Sequence, residues 1–196
     1  MKTVTEILKL SCKKAHIKTE KTLVEKFKSI NNLDDYTNIL TTFYGYFAPV
    51  ENEIEKHITN TILPDIELRK RSSFIISDLR NLNYTRPLPV AGEIPLINSY
   101  LQAAGAMYVL EGSTMGGQHI VQMLIQKPAL QERKDAMSFF KGYEEQNMLM
   151  WQIFKDHLDT NIHEKDVEEV VQSAIETFVL LDKWTLNKNN DGNKKY

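Results

Sequence analysis

Three glycines crowd six residues of this chain. Gly112, Gly116 and Gly117 fall within YVLEGSTMGGQHI, residues 108–120, just after an apolar run with helical spacing. Each costs a helix interior about 1 kcal/mol relative to alanine, so a helix that accepts all three needs its backbone close to something, or needs a bend. One reading is helix packing, because the spacing from Gly112 to Gly116 also lets two helices touch. The other is a ligand site. Glu111, Gln118 and His119 place polar groups around the glycines, which an ordinary helix crossing does not require. Ser113 and Thr114 can bond back to carbonyls one turn earlier and help bend the helix. A bent helix without side chains can lie flat over a planar ring and still leave space for a small gas molecule. The glycines alone leave both readings open.

Among five histidines, His16 has the best case as a metal ligand. It borders the apolar face of the first helix, where its ring can point into a cleft. Glu20 follows at i+4 and can accept, directly or through water, a hydrogen bond from the ring nitrogen not on a metal, which fixes the tautomer and raises basicity. Lys9 and Lys13 lie seven and three residues earlier, roughly along one helical stripe, and can meet carboxylates at a cofactor's edge. The plain alternatives are a surface His–Glu contact and a solvated basic face. His57, after the Glu51-x-Glu53-x-Glu55 run, lacks the repeated Glu-x-x-His pair of di-iron bundles and reads as a solvated helix end. His119 is expected at the surface, and His157 and His163 flank a helix junction.

The elements that must position these residues are all helical; apolar residues recur at helical spacing and no segment alternates like a strand. The first helix carries Val4, Ile7, Leu8 and Ala15 on one face, with a break and a second, shorter segment over 22–30. The third repeats Tyr36, Leu40, Phe43, Phe47, Val50 and Ile54, has Asp34 and Asp35 in its first turn, and holds Pro49, which should kink it. Pro64 suits the first turn of a fourth helix through Leu82. Residues 83–95, with three prolines and a glycine, form the one substantial loop. A fifth helix starts near Leu96 and runs into the glycine motif. Two more stripes follow, Phe140 to Leu158 and Val167 to Leu181. The pattern predicts an all-α fold, one multi-helix bundle over 1–186, with a polar, disordered tail over 187–196.

Composition narrows the function classes. A net charge of −2 gives no basic field to recruit nucleic acid. A single cysteine, Cys12, excludes an internal disulfide and a cysteine-rich metal site and fits a reducing cytoplasm. Lysines interrupt the N-terminal apolar residues, unlike a signal peptide, and no run approaches the roughly eighteen apolar residues of a membrane span.

The 108–120 motif resembles the distal helix of haem oxygenases, in particular the bacterial subgroup associated with bacteriophytochromes, where GSTxGGQ is typical. KKAHIKTE, YGYFAPVENEIE, RPLP, FFKGYEEQNMLMWQIF and AIETFVLLDKW resemble that subgroup too, in the same order along the chain. The resemblance implies a haem oxygenase-like bundle with haem as both substrate and cofactor, cleaved with O2 to biliverdin, carbon monoxide and ferrous iron. It implies His16 as the iron ligand, Lys9 and Lys13 as contacts to the haem carboxylates, and Gly112, Ser113, Gly116 and Gly117 as the backbone on the oxygen side. Electrons would come from a ferredoxin or reductase, since the chain has no flavin or nicotinamide fingerprint and no cluster cysteines, and a phytochrome could use the biliverdin. The chain departs from many family members at Ser113, where they carry an aspartate that anchors proton-delivering waters. That departure leaves a non-enzymatic haem carrier on the same fold as the rival reading.

Overall fold

The computed structural model describes residues 2–191, and the regular elements among them are all helical. Helix α1 (Val4–Ser11) opens on a capping box in which Thr3 and Glu6 bond each other's backbone amides. Cys12 separates it from α2 (Lys13–Lys28) with little loss of helical bonding: its amide reaches Leu8 O and its carbonyl accepts from the His16 amide, both at 2.9 Å. His16 and Ala15 therefore belong to α2, and the break expected before Thr22 is absent. The reason is Thr19. Its polar side chain interrupts the apolar pattern, yet it is buried, with its hydroxyl donating to Ala15 O and Phe178 O at 3.1 Å.

Helix α3 (Leu33–Ile54) is capped by Asn32 and carries Asp34 and Asp35 in its first turn, as expected. It runs through Pro49, which has no amide to give the Gly45 carbonyl. The Ala91 amide fills that place at 2.8 Å, so the proline-rich loop docks on the helix where the proline leaves an acceptor open. The fourth helix is split. A 3-10 turn (Ile66–Arg69) comes first and α4 (Arg71–Asn81) starts afresh, because the buried Glu51 carboxylate accepts from the Arg71 and Ser72 amides at 2.8 and 3.1 Å and fixes the new N-terminus there.

Helix α5 (Tyr100–Gly112) starts at its Ser99 cap rather than at Leu96. A 3-10 turn (Ser113–Gly116) joins it to α6 (Gly117–Ile125). The expected stripe from Phe140 to Leu158 divides into α7 (Ser138–Lys141) and α8 (Asn147–Asn161), because the chain reverses at Gly142 with φ 65°. Asn147 secures that reversal, accepting from the Tyr143 amide at 2.8 Å and donating to Lys141 O at 2.9 Å. Helix α9 (Val167–Asp191) closes the bundle. Of the tail expected to be disordered, 187–191 continue α9 and 192–196 lie outside the described residues.

Helix α9 ties the layers together. Gly105 brings α5 close to it, since a Cβ there would lie 2.3 Å from Val170 O, and Ser173 donates to Gln102 O at 2.6 Å. Tyr46 donates to Thr177 O and Trp184 to Thr42 O, joining α3. Asp182 accepts from Thr22 at 2.6 Å and pairs with Lys18 at 2.8 Å, seating α2. Phe27, Phe43, Phe47, Phe139 and Phe140 form a continuous aromatic core between α2, α3 and α7. No helix of the described residues is long and apolar enough to cross a membrane.

Pro49→Ala restores an amide that competes for Gly45 O. Hydrogen exchange should then show the Ala91 amide losing about fivefold of its protection, the worth of one net hydrogen bond of ~1 kcal/mol, with helix content unchanged.

Candidate functional site

The site begins at α2. The His16 side chain is 58% exposed, its ring meets Phe178 of α9 edge-on at 5.5 Å between centroids, and Nδ1 lies 3.8 Å from Glu20. That separation allows electrostatic steering of the ring but is too long for a direct hydrogen bond. Lys9 on α1 and Lys13 at the start of α2 are both exposed. Helix α2 touches α6, so the His16 helix and the chain leaving the glycine motif are neighbours.

At that motif the chain leaves α-geometry. Residues 113–116 form the 3-10 turn, and the back-bonding expected from the sequence is present: Ser113 donates to Leu110 O at 2.6 Å and Thr114 to Glu111 O at 2.8 Å. The Ser113 proton is thereby committed to a carbonyl, and its oxygen is left as an acceptor.

The three glycines do different work. A Cβ on Gly117 would lie 1.9 Å from Phe140 O, so this glycine lets α6 rest on the α7 backbone; it answers to the packing reading. A Cβ on Gly112 would reach ordinary contact with Trp151 of α8 at 3.7 Å. A Cβ on Gly116 would meet nothing within 4 Å. Only Gly116 keeps open space clear.

Helix α8 contacts both α1 and the 113–116 turn. Met148, Leu149 and Ile153 on it are exposed, as are Met115 on the turn and Leu10 on α1. Exposed apolar side chains on the turn and on the helix that contacts it suit a flat apolar ligand. Among the described residues no group of three or more His, Cys, Asp or Glu can hold a metal ion, so a metal on His16 would need its other ligands from the cofactor itself, as porphyrin nitrogens provide. An exposed imidazole, an open glycine, apolar surroundings and nearby lysines fit such a group.

In the sequence Glu111 stands out only as a polar neighbour of the glycines. It is 1% exposed. Arg69 donates to one carboxylate oxygen, and the Tyr143 hydroxyl donates to the other at 2.7 Å. Arg69 also bonds Asp65 at 2.8 and 2.7 Å and Met150 O at 3.1 Å. A charge inside the apolar run AAGAMYVLEG was the available signal for a buried pair; its partners, 42 and 32 residues away, were not legible. A cavity of about 410 Å³ opens beside Tyr143, lined also by Leu68, Phe74 and Met150. It includes neither His16 nor the glycines of the motif.

The other histidines have separate settings. His57 is half-buried and bonds Ile97 O at 3.2 Å, a more structural place than the solvated helix end expected. His157 meets the Tyr100 hydroxyl at 3.0 Å, and burial lowers its pKa. His119 and His163 are exposed.

A family model described as Heme oxygenase matches residues 2–187. Among solved structures, the haem oxygenase from Neisseria meningitidis, determined in its NO- and CO-bound forms, aligns with a TM-score of 0.77 at 18% identity, covering 97% of this chain and 94% of that one. A comparison with curated protein sequences finds no match.

The glycines should separate on substitution. Gly117→Ala must displace Phe140 and should cost about 1–3 kcal/mol of unfolding free energy or more. Gly116→Ala should stay within ~1 kcal/mol of wild type in the ligand-free protein. Urea denaturation of both checks this.

Proposed function

The chain belongs to the haem oxygenase family, and on that premise we propose that His16 is its ligand to haem iron, with the Gly112–Gly116 backbone across the opposite face of the ring. When bound, haem supplies the oxygen-activating chemistry of the family's reaction, in which it is opened with O2 and donor electrons to biliverdin, carbon monoxide and ferrous iron. The chain's own residues bind, orient and manage protons.

His16 presents a ring nitrogen from α2, and Glu20 steers the ring electrostatically from one turn on. Lys9 and Lys13 meet the carboxylates at the haem edge. Gly116 contributes backbone only, leaving the volume a side chain would fill open for a diatomic ligand. The Ser113 hydroxyl donates to Leu110 O, so its oxygen would hold a water as an acceptor, and such water with the neighbouring backbone carbonyls would carry protons toward the space over Gly116. Gly112 leaves beside Trp151 of α8 a space that a Cβ would fill at ordinary contact distance, and Gly117 holds α6 down on Phe140. The observation that carries this assignment is the empty space over Gly116, in a chain segment flanking the helix that α2 touches.

The electron donor is a separate ferredoxin or reductase. The GSTMGGQ run resembles the bacteriophytochrome-associated subgroup, and a biliverdin-binding phytochrome is accordingly the proposed consumer of the product. A cytoplasmic setting agrees with a lone, buried Cys12 thiol, which burial pushes up to about 11.

Haem titration tests the ligand. Wild type should develop a Soret band that His16→Ala loses, while Glu20→Ala should weaken binding by about tenfold; an unchanged band in His16→Ala contradicts the assignment. Ser113 in place of an acid favours one second reading, a haem carrier. Turnover decides between them. Under air with ascorbate or a ferredoxin system, the loaded oxygenase replaces its Soret band with biliverdin absorption, and a carrier's spectrum persists.

A further inference from the structure

We propose that Glu111, Arg69 and Tyr143 form a buried latch that sets where the Gly112–Gly116 backbone lies over haem, and so which edge of the ring is opened. The proposal rests on the reading of that segment as the face opposite His16.

Glu111 is the last side chain of α5 before Gly112. Both its oxygens are taken, one by Arg69 from the turn ahead of α4, the other by Tyr143 from the α7–α8 connection. Arg69 extends the hold to α8 through Met150 O, and the next residue, Trp151, is the one facing Gly112. One planar guanidinium thus grips the chain immediately before the glycines and the helix packed against them, and Asp65 fixes that guanidinium with two bonds.

The segment needs an outside hold. A 3-10 turn has poorer hydrogen bonds than an α-helix, and Ser113 and Thr114 divert their hydroxyls to carbonyls three residues back. The choice of groups is also informative. A leucine at 111 would continue the apolar run of α5 without the desolvation cost of a buried ion pair, which often yields no stability over apolar residues. What the charged groups add is a fixed direction and separation. None of the three is assigned contact with the reacting atoms. They are positioning residues.

The test uses Tyr143→Phe and Glu111→Gln, with Leu79→Ala in α4 as a control that loosens the core elsewhere. In the haem-free protein, hydrogen exchange at amides 112–117 should quicken about tenfold in both latch variants and stay at the wild-type rate in Leu79→Ala. Loaded with haem, the latch variants should keep wild-type affinity within about twofold and yield an altered ratio of biliverdin isomers by chromatography, with the Leu79→Ala ratio unchanged. Unchanged exchange and an unchanged isomer ratio in folded latch variants overturn the proposal, as does an equal change in Leu79→Ala. If wild type forms no Soret band, the reading of the site fails, while the exchange data still decide whether the latch holds the turn.

Discussion

A charged pair buried one residue before the glycine turn is the constraint from which much of this structure follows. Burial pushes the Glu111 carboxyl up while Arg69 and Tyr143 pull against it. Burial likewise opposes the charge on Arg69, but the bonds from Asp65 and the charge of Glu111 leave its pKa above the ordinary value. Tyr143 is pushed up by burial and by Glu111, so its hydroxyl keeps the proton it donates. Removing Arg69 outright would leave the Glu111 charge buried and uncompensated, at about 3–5 kcal/mol. The turn before α4, the end of α5, the α7–α8 connection and the first part of α8 must therefore assemble together. Arg71, two residues on, adds to this: its guanidinium donates to Phe139 O and lies over the rings of Phe74, Phe139 and Tyr143 at 5.2 to 5.7 Å. Its Nε and Nη1 have no conventional acceptor and face aromatic surroundings.

From that fixed wall the site is organised by contrast. On one side the chain gives up side chains and regular helix to offer backbone, with Gly116 open and Gly117 pressed onto Phe140. On the other, α2 is seated on α9 by Thr19, Thr22 and Lys18, and from this anchored helix His16, Glu20 and Lys13 project into solvent. Rigid backing and an exposed set of candidate ligands suit a protein whose reactive group arrives from outside and needs orienting.

Much of this was legible in the sequence because it is local. Helical periodicity predicted α3 and α9 and the all-helical class; the hydroxyls of Ser113 and Thr114, next to the glycines, predicted the departure from regular helix. The division of the Phe140–Leu158 stripe is local, at Gly142 and Asn147; most other misreadings involve residues whose partners lie far along the chain. Thr19 broke the apolar stripe of α2 because Phe178 O, 159 residues away, was not visible. Glu51 set the start of α4 from 20 residues upstream. Gly117 could not be told from Gly116, since only the fold shows which of them meets Phe140. The Arg69–Glu111–Tyr143 set was missed for the same reason, with only an isolated glutamate in an apolar helix to hint at it.

A crystal structure of the haem-loaded protein tests the central claim most directly. It should place iron within bonding distance of a His16 ring nitrogen, with the Gly112–Gly116 backbone across the opposite face and no side chain over Gly116. Iron bound to another histidine, or a haem ring lying away from the glycine turn, would contradict it.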